Sequence, residues 1–342
     1  MTIKIILAGL GVRGRHWAEV IRRSARAEVV AYADPNPAAL DLAAARFGER
    51  PRFATAEEAI AAMPEANALL LANPPYGRES QIRAAVARNM PLLIEKPLAL
   101  NIPEAAHLVR LAEQGSVPMM VGLNFRYLDT TLRTMELLRE GGVGTALFAR
   151  FTYERYRDGH RPDLNKYPLT MDQPMLWEQS IHHFDLMRYV YGQDPVLIEA
   201  LTWNPPYSMY KSDANVAALI TFSGGLVANY QGLWQSAWAE PNFEWRTDCT
   251  KGVIIQKDQF GALHYAQHAD KSLTPVTLPP HETWITETSR LLEAFLDSVL
   301  NGTPMPCGGR DHLMSLAMVE ACAISSRERR AVTIAEVLAQ AK

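Results

Sequence analysis

In the first third of the chain, short apolar runs alternate with longer segments whose apolar residues recur at helical spacing. The predicted strands are Ile3–Leu7, Val29–Ala33, Ala68–Ala72, Pro91–Ile94 and Met119–Val121. The predicted helices are Arg15–Arg23, Pro37–Phe47, Ala56–Met63, Arg78–Asn89 and Ile102–Glu113. Uniformly apolar strands that alternate with amphipathic helices are typical of βαβ units. The pattern therefore predicts an α/β domain built on a parallel sheet.

After Asn124 the pattern changes, and strand-like runs dominate. These runs are Ala146–Tyr153, Val196–Trp203, Ala214–Phe222, Leu226–Trp234, Phe243–Thr247 and Gly252–Gln256. Ser223-Gly224-Gly225 separates two of them and signals a hairpin. Helices are predicted at Thr130–Glu140, Met175–Tyr191, Thr286–Leu300 and Arg310–Ser325. We therefore predict two domains, 1–122 and 123–342, the second an α+β domain with a large, mostly antiparallel open sheet.

The composition argues against binding to nucleic acid or to a membrane. With 34 basic and 37 acidic residues, the 342-residue chain has no excess of positive charge for a nucleic acid or an anionic membrane. No apolar run approaches the roughly 20 residues that span a bilayer. The three cysteines are scattered without CxxC spacing, so neither disulfides nor a zinc site is expected. We expect a cytoplasmic protein that contacts neither nucleic acid nor membrane.

The first strand ends in a glycine-rich turn, Gly9-Leu-Gly11-Val12-Arg13-Gly14, and a helix follows at once. In a GxGxxG turn the glycines permit the tight turn, the approach of a pyrophosphate and close helix packing. The helix N-terminus favours the phosphates. The turn and its setting predict a Rossmann dinucleotide-binding domain.

Asp34 lies at the end of the second predicted strand, twenty residues after Gly14. A carboxylate there can accept hydrogen bonds from the adenosine ribose hydroxyls and repels a 2′-phosphate. NAD is therefore the expected cofactor, with NADP less favoured. Arg13 leaves an alternative open, because it could offer a cation to a 2′-phosphate or lie in solvent.

A second cluster, Glu95-Lys96-Pro97, follows the strand Pro91–Ile94. Ligands of open parallel sheets sit beyond the carboxyl ends of the strands, where Asn73-Pro74-Pro75 also falls. A lysine there can polarise a substrate oxygen and stabilise developing negative charge. We predict that Asn73, Pro74, Glu95 and Lys96 border the cofactor.

A third cluster lies on the predicted helix Met175–Tyr191, where Glu178 and His182 are four residues apart. Such residues share a face of an α-helix. A histidine suits proton transfer to or from a hydroxyl, and a neighbouring carboxylate orients it. His183 faces differently, which favours a packed side chain over a second base. For Asp185, substrate binding and a local hydrogen bond remain equal alternatives.

The combination of Gly9-Leu-Gly-Val-Arg-Gly-Arg-His16, Asp34, Asn73-Pro-Pro75, Glu95-Lys-Pro97 and Gly122-Leu-Asn-Phe-Arg126 resembles the Gfo/Idh/MocA oxidoreductases. That family includes inositol dehydrogenases and glucose–fructose oxidoreductase, and the resemblance spans nearly the whole chain. It implies hydride transfer between NAD(P) and a secondary alcohol or ketone of a sugar, cyclic polyol or related compound.

The resemblance also implies roles for single residues. His182 matches the family's acid/base histidine and Lys96 assists it, while Glu178 stands where the family has an aspartate. Trp177 and Ser180 depart from the family's glycine-rich pattern, which implies a reshaped pocket. Arg78 lies near the place of a family histidine. We predict Lys96, Arg126, Trp177, His182 and Asp185 as substrate-binding residues.

Several alternatives remain open from sequence. The segment from Arg155 to Lys166 is basic, and it is either a solvated loop or a recognition site for a carboxylate or phosphate. A metal site using Glu178, His182 and His160 is conceivable, but none is predicted. The alternative functions are transient oxidation by a permanently bound NAD, as in epimerisation or elimination, and a non-enzymatic sensor of NAD or sugar.

We also expect self-association. An exposed antiparallel sheet face with several tryptophans would be costly in a monomer. The sequence therefore predicts a homodimer or homotetramer joined through the sheet of the second domain.

Overall fold

The computed structural model describes residues 2–341. Its first sheet has six parallel strands in the order β3-β2-β1-β4-β5-β6. The strands are β1 Ile3–Ala8, β2 Ala27–Ala33, β3 Arg52–Phe53, β4 Ala68–Leu71, β5 Leu92–Ile94 and β6 Met119–Val121. The helices between them are α1 Val12–Arg23, α2 Pro37–Phe47, α3 Ala56–Ala62, α4 Arg78–Ala87 and α5 Ile102–Gln114. This strand order is that of a Rossmann fold, as predicted.

The central strands are apolar because both of their faces are covered. Ile6 and Leu7 of β1 are fully buried, and so is every residue of β4. Local signals fix the ends of the helices around them. Thr55 and Glu58 form a reciprocal capping box at the start of α3. Because the strands are parallel, the carboxyl ends of β1, β2, β4 and β5 fall at one edge of the sheet.

The second sheet has nine strands in the order β14-β13-β12-β11-β7-β10-β9-β8-β15. They are β7 Ala146–Glu154, β8 Pro195–Trp203, β9 Asn215–Phe222, β10 Val227–Leu233, β11 Asn242–Cys249, β12 Gly252–Asp258, β13 Gly261–Gln267, β14 Thr274–Pro275 and β15 Val332–Thr333. All neighbours are antiparallel except β7 and β10. The mostly antiparallel sheet and the hairpin between β9 and β10 confirm the predictions.

The remaining helices are α6 Asp129–Glu140, α7 Ile181–Tyr191, α8 Thr286–Asn301, α9 Gly309–Glu328 and α10 Ile334–Leu338. Three-residue or four-residue 3₁₀ turns cover Asn124–Tyr127, Tyr167–Leu169 and Ala339–Ala341. Sequence periodicity did not indicate the short strands β3, β14 and β15. Two-residue strands such as β15 are too short to show a period.

By their internal contacts the described residues form two compact units. The first contains the residues up to Asn124, together with Glu282–Leu313 and Ala341, and the second contains Phe125–His281 and Met314–Gln340. Within the first unit, Arg26, which lies between α1 and β2, pairs with Glu293 and Asp297 of α8 at 2.6 and 2.7 Å. The predicted division at 122/123 treated the second part as continuous, and the chain's return at Glu282 was not foreseen.

Candidate active site

The glycine turn after β1 is shaped by contacts that exclude side chains. Gly9 has φ of +89°, and a Cβ there would lie 2.5 Å from the backbone nitrogen of Asn73. A Cβ on Gly14 would lie 1.8 Å from the carbonyl oxygen of Gly9. The turn is therefore compressed between α1 and the end of β4, as the spacing of its glycines predicts.

The start of α1 is open to an anion. Val12 is its first residue, and Gly11 before it provides no side-chain cap. The first turn contains no acidic residue, so the amide groups and the helix dipole are not neutralised from within the helix. These features fit the pyrophosphate of a dinucleotide.

Asp34 follows β2 beside the glycine turn. One of its carboxylate oxygens accepts a hydrogen bond from the Leu10 amide at 2.6 Å, and the other accepts from Asn36 at 2.9 Å. A carboxylate has about four lone-pair sites, so each oxygen can still accept one more hydrogen bond. The half-exposed carboxylate is thus fixed and able to bind two ribose hydroxyls.

Arg13 is engaged inside the first unit. Its Nε donates to Glu95 Oε1 at 2.6 Å, its Nη1 donates to Thr288 at 3.3 Å, and its guanidinium lies 5.3 Å from the ring centre of Trp17. The indole of Trp17 donates to the same Glu95 oxygen at 2.6 Å. These bonds favour a structural role for Arg13 over recognition of a 2′-phosphate. They also make Glu95, which is 5% exposed, a buried anchor of the loop.

Lys96 lies in the turn after β5, half-buried between the buried residues Glu95 and Pro97, and the Lys96–Pro97 peptide bond is cis. The position at the carboxyl edge of the sheet agrees with the sequence argument. Asn73 lies in the neighbouring turn after β4, where its side chain donates to Gln81 at 3.1 Å. Pro74 follows it and is exposed.

Arg78 holds these two turns together, a role that sequence reasoning missed. The side chain is 1% exposed, and its guanidinium donates to four backbone carbonyl oxygens. The distances are 2.8 Å to Glu95, 2.6 Å to Pro97, 3.1 Å to Leu98 and 2.6 Å to Asn73. A planar guanidinium has five N–H donors and can serve several oxygens at once. The only sequence signal for this role was that Arg78 lies near the position where the family has a histidine.

In the second unit, the predicted helix Met175–Tyr191 is divided. Met175–Ser180 form a π-helical turn, and α7 begins at Ile181. Such turns are frequent at functional sites. Glu178 is half-buried within the π turn, and Trp177 beside it is 6% exposed. The shared face of Glu178 and His182 was argued from α-helical spacing, so it stays a prediction.

His182 is the second residue of α7 and is 6% exposed. Its ring stacks on Phe125, with the ring centres 4.1 Å apart and the planes inclined by 20°. Stacking limits the rotation of the imidazole and keeps one ring face away from water.

His183 belongs to a buried hydrogen-bond chain. Gln179 lies 3.0 Å from its Nε2, and its Nδ1 lies 2.8 Å from the Tyr230 hydroxyl. Tyr230 donates to Ser180 at 2.8 Å, and Ser180 donates to the Met175 carbonyl at 3.1 Å. The chain is consistent only if Nδ1 of His183 carries the proton and Nε2 accepts from the amide.

Burial, and secondarily the charge of Arg155, lowers the pKa of His183 to about 3. His183 is therefore neutral, and it holds the π turn instead of exchanging protons with a substrate. This favours the packed role given to it from sequence.

Arg126 and Asp185 bind one another. Two hydrogen bonds of 2.7 and 2.6 Å join the guanidinium to the carboxylate, and Ser315 donates to Asp185 at 2.8 Å. The residues are 4% and 1% exposed, and Arg126 also lies over Tyr189. The geometry favours hydrogen bonds within the protein over substrate binding for Asp185, and we do not retain either residue as a substrate ligand. Non-local partners of this kind leave no sequence signal.

Among residues 2–341, no three His, Cys, Asp or Glu side chains are grouped as metal ligands. None of the helices in this part of the chain has the length and apolar character that crossing a membrane requires.

Comparisons with known proteins agree with this architecture. Residues 3–123 match the model of an oxidoreductase family with an NAD-binding Rossmann fold, and residues 131–255 match the GFO/IDH/MocA C-terminal domain. An inositol 2-dehydrogenase of Rhizobium meliloti is 24% identical, over 98% of this chain and 100% of its own. A D-apiose dehydrogenase of Paraburkholderia graminis is 24% identical, over 98% of this chain and 90% of its own.

An oxidoreductase from Agrobacterium radiobacter, solved with NAD⁺, L-tartaric acid and magnesium, superposes with a TM-score of 0.90. It is 20% identical, and the match covers 98% of this chain and 99% of that one. The resemblance, the fold class, the enzyme class and the NAD cofactor predicted from sequence are confirmed. The chain belongs to the GFO/IDH/MocA family of oxidoreductases, whose first domain binds NAD.

Proposed function

We propose that the chain is a dehydrogenase that interconverts a secondary alcohol and a ketone on a sugar, cyclic polyol or related hydroxylated compound. The observation that carries the proposal is the turn of Lys96, fixed by Arg78 at the carboxyl edge of an NAD-binding sheet. Relatives named as inositol and apiose dehydrogenases support the substrate class.

In the proposed reaction, NAD when bound supplies the acceptor for the substrate's hydride. The imidazole of His182 takes the hydroxyl proton as the carbon is oxidised, and it returns a proton in the reverse direction. The ammonium of Lys96 donates a hydrogen bond to the same oxygen and stabilises its negative charge. Glu178 tunes the basicity of His182.

Trp177 is retained as a residue that shapes the pocket, because a buried indole beside Glu178 restricts the space in which a substrate can lie. Gly9, Gly11, Val12, Gly14, Asp34, Asn73 and Pro74 are retained as the cofactor-binding set. Arg13 and Glu95 are proposed to support that set through their mutual ion pair.

The direct test is a screen of polyols, sugars and sugar acids with NAD, followed as NADH absorbance at 340 nm. Saturable turnover of at least one hydroxylated compound supports the proposal. No turnover of any of them in either direction would contradict it. NAD that stays bound through gel filtration without NADH release would indicate transient oxidation instead.

We further propose that the protein self-associates through the open face of its nine-stranded sheet. Among the tryptophans of the second unit, Trp238, in the loop before β11, is 69% exposed, but others are buried. Trp234 and Trp245 are 2% and 3% exposed. The exposed apolar side chains on that face are Phe148, Leu201 and Leu219, which are 40–45% exposed. Light scattering should give a dimer or tetramer, and a monomeric mass would exclude this proposal.

A further inference from the structure

Two arginines continue the inward-facing row of β7. Phe151 and Tyr153 are buried and alternate with less buried positions. Beyond the strand, the Arg155 amide donates to the Leu233 carbonyl at 3.0 Å, so the extended backbone persists. Arg155 therefore lies on the same side as Tyr153, and its guanidinium is 5.7 Å from that ring's centre.

Arg155 has no carboxylate partner in the described part of the chain. Its Nε is shielded from solvent and reaches no hydrogen-bond acceptor among residues 2–341. The acidic side chains closest to it in the sequence are engaged elsewhere: Glu154 accepts from Gln231 and Asn242, and Asp158 accepts from the His160 amide. A shielded donor of a charged group that makes no hydrogen bond costs free energy comparable to its desolvation.

A second cation adds to the positive potential. Arg157 stacks on Trp234 at 4.2 Å and donates to the Tyr210 hydroxyl at 2.7 Å. That hydroxyl donates in turn to the Arg157 carbonyl at 3.2 Å. Arg157 is thus held rigidly and, like Arg155, forms no ion pair with a described residue.

Arg155 lies close to the helix that carries the proposed acid/base residue. The ring centre of Tyr153, which Arg155 contacts, is 4.8 Å from that of His183. His183 directly follows His182, so Arg155 lies near the turn of α7 that carries the proposed acid/base residue.

We propose that Arg155 binds a carboxylate of the substrate, which makes the substrate a sugar acid or another small polyhydroxylated acid. This rests on the proposed dehydrogenase function and specifies its substrate class. The Nε and one Nη of a guanidinium form a planar fork that matches the two oxygens of a carboxylate. A carboxylate accepts hydrogen bonds from the Nε and one Nη of Arg155. It thereby gives the shielded Nε an acceptor and offsets the free energy of its desolvation.

The test compares acids with neutral compounds of the same configuration, such as gluconate with glucitol, on the full chain. For Arg155→Gln, kcat/KM for the acid should fall about 10- to 100-fold, mainly through KM, while that for the neutral compound changes less than about threefold. Arg133→Gln is the matched control, because Arg133 is ion-paired to Glu136 and Glu140 on α6, in the same unit.

The Arg155→Lys variant covers the case in which Arg155→Gln does not fold. It keeps the charge but loses the fork, and we expect about a tenfold loss toward the acid alone. Equal losses toward acid and neutral compound would overturn the inference while leaving the dehydrogenase proposal intact. Faster turnover of a sugar phosphate than of any carboxylate would overturn the assignment of a carboxylate.

A binding measurement distinguishes the proposed anion site from the proposed dehydrogenase function. If an aldonate raises the melting temperature of the wild type but not of Arg155→Gln, and no compound is oxidised, the anion site stands and the dehydrogenase proposal fails. If neutral polyols turn over more efficiently than every acid, the dehydrogenase proposal stands and the anion site fails.

Discussion

The turn that carries Lys96 and the helix that carries His182 are fixed by different kinds of contact. Around Lys96, the buried guanidinium of Arg78 bonds backbone oxygens of two turns. Before His182, the π turn is held by a chain of side chains from His183 to Tyr230 and Ser180. The first arrangement depends on one residue and a fixed charge. The second depends on several residues and on one histidine staying neutral.

The two regions should therefore differ in their sensitivity to mutation and to acid. Loss of Arg78 leaves several shielded carbonyl oxygens without a donor at once. Loss of one member of the π-turn chain leaves one or two polar groups without partners. Low pH should destabilise the π turn before His182. It should leave the hydrogen bonds of Arg78 intact, because an arginine stays protonated at every accessible pH.

The largest expected effect is that of Arg78→Met. The variant keeps much of the side-chain volume but donates no hydrogen bond, so we expect the free energy of unfolding to fall by about 4 kcal/mol or more, from several oxygens at roughly 1–3 kcal/mol each. Urea denaturation measures this. Arg83→Met on the same helix is the control, since Arg83 is an exposed partner of Glu79.

If Arg78→Met does not fold, Arg78→Lys provides the second measurement. Its ammonium has three donors instead of five and reaches fewer oxygens. We expect kcat to fall more than the affinity for NAD, because the turn of Lys96 loosens while the glycine turn is retained. Unchanged stability and unchanged kcat in Arg78→Lys would contradict the role of Arg78.

A smaller effect is expected from acid on the π-turn chain. The pKa of His183 is about 3 when folded, against about 6.5 when exposed, so between these values the unfolded chain binds the additional proton. Stability is therefore lost as pH falls from about 6.5 toward 3. At pH 5 this linkage costs about 2 kcal/mol.

His183→Asn removes the titrating group. Its stability should consequently fall by about 2 kcal/mol less than that of the wild type between pH 7 and pH 5. Tyr230→Phe is the control, because it breaks the chain but keeps the buried histidine and so keeps the wild-type pH dependence. If His183→Asn and the wild type lose the same stability over this range, the neutral His183 does not cause the loss of stability at low pH.

The smallest effect concerns cofactor choice. Because Arg13 is paired with Glu95, Arg13→Gln should change the preference for NAD over NADP less than about threefold. Asp34→Ser removes the carboxylate beside the ribose and should reduce that preference about 10- to 100-fold. Ratios of kcat/KM for the two cofactors measure both variants. A larger change in Arg13→Gln than in Asp34→Ser would reverse the assignment of these residues.

The parts predicted from sequence are those specified by neighbouring residues. The glycine turn, Asp34 and Lys96 follow short strands at regular spacing, and the spacing itself determines where they lie in a parallel sheet. The strand Met119–Val121 was likewise predictable as a short apolar run, and the hairpin at Ser223 from its turn residues.

The parts that were missed depend on partners distant in the sequence. Arg126 and Asp185 are 59 residues apart, and Arg13 and Thr288 are 275 apart. A one-residue widening of a helix into a π turn also leaves no periodic signal, so the helix from Met175 was predicted as regular. Burial of charged side chains such as Arg78 follows from these contacts and not from composition.

The most direct test of the central claim measures NAD affinity and turnover in Lys96→Ala, His182→Ala and the double variant. The account predicts that all three bind NAD within about threefold of the wild type. It also predicts that each single variant loses about 10²- to 10⁴-fold in kcat, because proton transfer and charge stabilisation are removed without altering the glycine turn. A double variant that binds NAD and still turns over the substrate at a wild-type rate would contradict the assignment of both residues.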